Sequence, residues 1–174
     1  MTWKKSKIIS KTLDTSINKI KSLRSLEGIR GTLKKEGKKV VFTNGCFDMI
    51  HSGHVHLFRE AKKLGDVLIV AVNDDRSIRK IKGKSRPIFP LEERLEILEA
   101  IEHIDFLFSF PEETPRKAIS VLLPDVLVKG EDWKKNEVVG RKEVEEGGGK
   151  VVLVPLRKGQ STTSLLEKII HSYD

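Results

Sequence analysis

Apolar residues follow two rhythms along this chain, short unbroken runs and stretches spaced three and four apart. The runs are Val40-Val41-Phe42, Val67 to Val72, Phe106-Leu107-Phe108, Val126-Leu127-Val128 and Val151 to Val154. Unbroken runs of that length suit strands of a parallel sheet with both faces covered. Helical spacing falls between them, at Leu26, Ile29 and Leu33, at Val55, Leu57, Phe58, Ala61 and Leu64, at Leu91, Leu95, Leu98 and Ile101, and at Leu165, Leu166, Ile169 and Ile170. The spacing predicts a helix capped by Ser25 and running through Lys35, with Gly37 as its stop. There follow strand 40–43, helix 54–64, strand 67–72, helix 91–101 and strand 106–108. A helix ending near Leu123, strand 125–129, a charged helix 136–146, strand 151–154 and helix 162–171 complete the chain. Strands alternating with helices predict an α/β fold, a doubly wound five-stranded parallel sheet with helices on both faces. Such a sheet has one crevice, where the strand order reverses. Residues 73–90 are the only long irregular segment.

Composition narrows the class. At 174 residues the chain fits one domain, expected over 22–174 behind a basic N-terminal arm, 1–21. No apolar run reaches the 18 or more residues of a membrane span. Met1-Thr2-Trp3-Lys4-Lys5 lacks the apolar core of a secretory signal, and a single cysteine suits a reducing, cytoplasmic setting. The net charge of +8 is unevenly placed, because residues 1–39 carry twelve Lys or Arg against Asp14, Glu27 and Glu36. Residues 40–174 hold 21 basic and 22 acidic side chains. The excess therefore belongs to the arm, and with no aromatic interleaving beyond Trp3 a nucleic-acid partner is not expected.

The candidate chemistry is concentrated in Gly45-Cys46-Phe47-Asp48-Met49-Ile50-His51-Ser52-Gly53-His54, between a strand and a helix start. His51 and His54 at a spacing of three can face one ligand. Gly53 allows close approach, and the free N–H groups of a helix start attract an anion. Imidazoles there can donate to phosphoryl oxygens as charge develops. Asn44-Gly45 closes the strand with amides able to cradle phosphate, and Asp48 is placed to orient a hydroxyl or to cap the turn. Cys46 reads as a buried small hydrophobe and Phe47 as packing. From Arg76 to Arg86 six basic side chains occur without an acid, which reads as a lid over a triphosphate. Lys129-Gly130 after a strand and Ser161-Thr162-Thr163 before a helix are further phosphate or base contacts, the latter equally an ordinary N-cap. No zinc framework, no Gly-x-x-x-x-Gly-Lys-Ser/Thr loop and no Gly-x-Gly-x-x-Gly occurs.

Gly45-Cys46-Phe47-Asp48 followed by His51-Ser52-Gly53-His54 resembles the signature of the cytidylyltransferase-like nucleotidyltransferases. Thr43-Asn44, Val72 to Ser77, Lys82 to Pro87, Leu123 to Gly130 and Ser161-Thr162-Thr163 are more specifically similar to the adenylyltransferase half of bacterial ADP-heptose synthase. The resemblance covers about residues 22–171, and Asp132-Trp133 stands where many relatives have Asp-Tyr. It implies transfer of AMP from ATP to D-glycero-β-D-manno-heptose 1-phosphate, with Mg2+ accompanying ATP, a homodimer, and a separate heptose kinase for the preceding step. Catalytic candidates are His51, His54 and Lys84. Candidates for nucleotide and phosphate binding are Thr43, Asn44, Gly45, Cys46, Phe47, Gly53, Arg79, Lys82, Arg86, Lys129, Gly130, Ser161, Thr162 and Thr163. Asp48, Asp132 and Trp133 are candidates for the acceptor, and no protein-held metal is expected. The shared motifs leave open a cytidylyltransferase for glycerol 3-phosphate or phosphoethanolamine, an FMN adenylyltransferase, or a nucleotide-binding scaffold without turnover.

Overall fold

The computed structural model describes residues 18–155 and 162–172. Five strands, β1 (Val40–Gly45), β2 (Val67–Asn73), β3 (Phe106–Phe110), β4 (Val126–Gly130) and β5 (Lys150–Val154), form one sheet in the order β3-β2-β1-β4-β5. Every pairing is parallel, with Val41 opposite Leu68 on one side and Val126 on the other. The chain steps outward from β1 to β3, then returns to the other side of β1 as β4. The crevice of this doubly wound sheet therefore opens between the carboxyl ends of β1 and β4.

Side chains alternate across the pleat, so each run feeds two cores. Val40, Phe42, Ile69 and Leu127 pack on one face with Leu26 of helix α1 (Leu23–Lys35), Ile119 of helix α5 (Arg116–Leu122) and Val144 of helix α6 (Arg141–Glu146). Val41, Leu68, Val70 and Val128 pack on the other with Phe58 and Ala61 of helix α2 (Ser52–Lys62) and Leu98 of helix α4 (Leu91–Glu99). Aspartates at the amino ends of the strands secure the register. Asp66, Asp105 and Asp125 accept from the backbone N–H groups of Lys39, Leu68 and Val40, at 2.8, 2.6 and 2.7 Å. Each carboxylate replaces a partner that a strand end would otherwise lack.

The expected strands and most helices stand within a few residues of their predicted bounds, and four details differ. The cap of α1 is Ser22, whose hydroxyl accepts from Ser25 N at 3.1 Å, so Ser25 lies inside the first turn. The supposed irregular segment contains helix α3 (Asp75–Lys82), capped by the Asp74 carboxylate accepting from Ser77 N at 2.7 Å. The single charged helix is broken into a 3-10 turn, Lys135–Glu137, and α6. Gly140 between them has φ +88, and a Cβ there would lie 2.3 Å from Ile119 Cδ1. The last helix, α7 (Thr162–His171), leaves Leu165 and Ile169 exposed. Of the N-terminal arm, residues 19–21 pair with the edge of β3 through Leu107 N to Lys19 O and Lys21 N to Leu107 O, both 2.8 Å. Residues 1–17 of the arm lie outside the described residues.

Candidate active site

A cavity of about 300 Å³ opens at the β1–β4 switch point. Its walls are Thr43 to Asp48 at the end of β1 and just after it, His51 at the N-cap of α2 with Gly53, His54 and Leu57 inside that helix, Lys82 at the end of α3, Lys129 and Gly130 at the end of β4 with Asp132 and Trp133 beyond it, and Thr162 of α7.

The two histidines are held by the helix they begin. His51 is the N-cap of α2, and its Nδ1 accepts from Gly53 N at 3.1 Å. His54, three residues on, returns its Nδ1 to accept from His51 N at 3.3 Å. The pair is a capping box written with imidazoles. An Nδ1 that accepts an N–H carries no proton, so each neutral ring has its proton on Nε2. The rings stack with centroids 3.8 Å apart, which leaves two Nε2–H donors side by side on the cavity lining. Burial, then the neighbouring His51 and the charge of Lys82, push the His54 pKa down to about 3. Burial alone lowers that of His51. Neutral donors are thus the resting state.

Phe47 supports this arrangement from below. Its backbone has φ +46, an uncommon conformation for a bulky residue. Its ring meets His54 edge-on at 5.4 Å and Phe58 at 5.2 Å. Gly45 permits that fold-back, since a Cβ there would stand 3.0 Å from the Phe47 ring. Burial raises the pKa of the neighbouring Cys46 thiol, which suits a packing role rather than a nucleophile's.

Asp48 reaches the cavity but is already engaged. Oδ2 receives Arg86 Nε at 2.5 Å and also contacts its Nη2, while Oδ1 accepts from Ile88 N and Phe89 N at 2.7 and 3.1 Å. Arg86 is thereby turned to a carboxylate and is not among the residues that line the cavity. Arg79 and Lys84 are exposed and also outside the lining, so Lys82 alone of the basic segment faces the cavity. For Arg79 and Lys82 the formation of α3 is the physical reason, because a helix points successive cations in different directions, while Lys84 and Arg86 follow the helix beyond Gly83. Thr43 turns its hydroxyl to Val128 O at 3.0 Å, tying β1 to β4. Ser161 and the Thr163 side chain lie outside the described residues, while Thr162 lines the cavity.

One organising residue escaped the sequence reading. Arg94, wholly buried in α4, donates to Cys46 O at 2.5 Å, Asn73 O at 2.9 Å, Phe89 O at 3.1 Å and Asp75 Oδ1 at 2.8 Å. It joins the loops after β1 and β2 to the segment before α4. Its signal was present, since position 94 falls between Leu91, Leu95 and Leu98 on the inward stripe, where a charge needs a partner. Across the cavity, burial lowers the pKa of Lys129 to about 8 against the opposing influence of Asp132 and Cys46. Its Nζ donates to Asn44 O at 3.0 Å and stands 5.2 Å from the centre of the Trp133 ring.

With this geometry described, known proteins give it a context. The model of the cytidylyltransferase-like family matches residues 42–168. The bifunctional protein HldE of Geobacter sulfurreducens is 48% identical over 155 residues, which span 89% of this chain and 32% of that protein. HldE of Coxiella burnetii is 47% identical over 138 residues, spanning 79% and 29%. The chain thus corresponds to about a third of the length of these curated relatives. Among solved structures, the lipopolysaccharide core biosynthesis protein from Thermoplasma volcanium is 32% identical with a TM-score of 0.58, covering 71% of this chain and all of that one. Pantoate-beta-alanine ligase from Francisella tularensis, at 20% identity and a TM-score of 0.62 over 86% of this chain and 72% of its own, shares the fold.

Proposed function

The chain belongs to the cytidylyltransferase-like family and is a nucleotidyltransferase, and from that premise we propose that it transfers AMP from ATP to a sugar 1-phosphate, D-glycero-β-D-manno-heptose 1-phosphate. A phosphate oxygen of the acceptor attacks the α phosphorus as the bond from that phosphorus to the bridging oxygen of pyrophosphate breaks. ADP-heptose and pyrophosphate are the products. The attacking oxygen is already anionic, so no general base is required. Similarity to HldE supports the choice of sugar and base, and the coarser reaction class supports the displacement.

The observation that carries the chemistry is the pair of Nε2–H donors fixed by the start of α2. Donors held in place before the reaction stabilise charge on the transferring phosphoryl group without reorganising. Lys82 at the cavity wall and Thr162 at the start of α7 are assigned to the β and γ phosphates. Magnesium is assigned to the nucleotide rather than to a protein cage. Mg2+ commonly binds through substrate phosphates with one or two carboxylates. A separate kinase would supply the sugar 1-phosphate, and the protein is read as a cytoplasmic homodimer. No described helix is long and apolar enough to cross a membrane.

The test is pyrophosphate release with magnesium, offering ATP and CTP separately against heptose 1-phosphate, glycerol 3-phosphate and FMN. Release with ATP and heptose 1-phosphate alone is expected. Release with another pair would keep the displacement and replace the substrates, and no release from any pair would refute the reading.

A further inference from the structure

Residues 19–21 lie before the span that the family model matches, 42–168, yet they make a concentrated set of bonds to one place, the turn from α4 into β3. Leu107 N donates to Lys19 O and Lys21 N to Leu107 O, both at 2.8 Å. β3 is the outer strand of the sheet, so these bonds satisfy edge groups that no other strand reaches. Lys19 also holds the helix. Its N–H donates to Glu99 Oε1 at 3.0 Å and its Nζ to Ile101 O at 2.9 Å. Beside it, Ile20 packs on the cluster that contains Leu98, Ile104 and Leu107.

Helix α4 needs this outside help at its carboxyl end. Glu92 and Glu93 suit its first turn, but its last turn has no basic residue and contains Glu96 and Glu99. Acids at that end oppose the helix dipole, whereas a cation there stabilises it. Lys19 brings the missing cation, and its backbone N–H engages one of the two carboxylates. Five residues before Glu99 in the same helix stands Arg94, which donates to Cys46 O in the turn that leads to His51 and His54. A helix of nine residues is about two and a half turns long and moves as one body. Its position is therefore set at two points, by the active-site loops at Arg94 and by residues 19–21 at Glu99 and Ile101.

We propose that residues 19–21 are a strap belonging to the catalytic scaffold, with Lys19 as a positioning residue that acts through α4 and Arg94 on the histidine turn. Lys19 itself is not among the residues that line the cavity. Loss of its ammonium leaves the carboxyl end of α4 free to tilt on β3, and Arg94 then carries Cys46 with it. The inference rests on the nucleotidyltransferase reading for its kinetic readout, but not for the existence of the strap.

The experiment compares the full chain with three variants. Lys19→Met keeps the stem and removes the ammonium, Lys19→Arg restores a cation, and Lys34→Met removes an exposed charge from α1. Amide hydrogen exchange without substrate should quicken about tenfold over 92–101 and over 46–54 in Lys19→Met, and stay unchanged in β4 and β5. Lys34→Met should match wild type, and Lys19→Arg should recover most of the protection. In pyrophosphate release below the melting range, Lys19→Met should lower kcat about tenfold and leave both KM values within about twofold. In an Arg94→Met background the same substitution should change kcat by less than about twofold, because the route through Arg94 is already broken. A merely structural strap gives equal losses in the two backgrounds. Such additivity, a kcat within about twofold of wild type, or exchange that quickens without involving 46–54 would overturn the proposal. If no substrate pair turns over, the reaction reading fails and exchange over 46–54 alone decides the strap.

Discussion

Replacing Arg94 with methionine should release the floor of the active site. The guanidinium makes four hydrogen bonds, three of them to the backbone carbonyls of Cys46, Asn73 and Phe89 and one to Asp75. Methionine fills much of the stem volume but donates nothing. Each buried carbonyl left without a donor costs about 1–3 kcal/mol. The Asp75 side chain, 26% exposed, recovers part of its solvation from water. Three carbonyls give about 3–9 kcal/mol, and the expected loss is set toward the low end, at about 4 kcal/mol, which lies within the range for breaking a buried pair by removing one partner. Against a typical total of about 5–15 kcal/mol this is a large fraction, and at about 2–4 °C per kcal/mol it lowers Tm by roughly 8–16 °C. Function should fall further than stability alone requires. Cys46 begins the turn that leads to His51 and His54, and a displacement of about 1 Å in a positioning element can cost about 100-fold in rate. Denaturant melts and kcat/KM for pyrophosphate release, measured below the melting range, separate the two effects. Arg94→Lys should rescue little, because an ammonium cannot reach the four acceptors that the planar guanidinium spans. A loss below about 1 kcal/mol with kcat/KM within twofold of wild type would refute the argument.

Three further outcomes follow from the histidine and cavity geometry. His54→Gln supplies an N–H near the place of Nε2, while His54→Asn supplies an acceptor near that of Nδ1. The glutamine variant should keep more turnover and the asparagine variant more thermal stability, each losing on the order of 100-fold or less in kcat. The reverse ranking would contradict the assigned tautomer. The His54 pKa is about 3 in the fold against an ordinary 6.5, so the unfolded chain takes up its proton first. Its contribution is complete above pH 6.5 and is lost as pH falls toward 3, at about 1.4 kcal/mol per pH unit. The unfolding free energy of wild type minus that of His54→Asn should therefore shrink between pH 6 and pH 4, and a flat difference would count against a buried neutral ring. Removing magnesium with a chelator should abolish turnover and leave Tm unchanged, whereas a fall in Tm would reveal a metal held by the protein itself.

Local pattern was sufficient for the architecture. The runs at 40–42, 67–72, 106–108, 126–128 and 151–154 have no polar face, so they could only be strands covered on both sides, and alternation with helices left a doubly wound sheet. The turn containing His51 and His54 was legible for a similar reason, because its chemistry is contiguous along the chain. Boundaries that depend on one hydrogen bond were less legible. Ser22 and Ser25 are both competent caps, and only the helix axis selects between them. Gly140 breaks a helical pattern because Ile119, 21 positions earlier, occupies the place of its Cβ.

Charge was the feature least legible along the chain. Six cations from Arg76 to Arg86 look equivalent as letters, yet Lys82 faces the cavity, Lys80 pairs with Glu113 at 3.4 Å, and Arg86 is held by Asp48 from 38 positions away. Arg94 and Lys129 are the converse, single cations in apolar surroundings whose roles are opposite. One is saturated by four acceptors, and the other lacks an ion-pair partner among the described residues. The chain alone determined which segments are strands and helices and which turn holds the histidines, because hydrophobic periodicity and motif spacing are local properties. Only the tertiary structure decided which charges line the cavity, because desolvation and pairing depend on neighbours that folding brings from far along the chain.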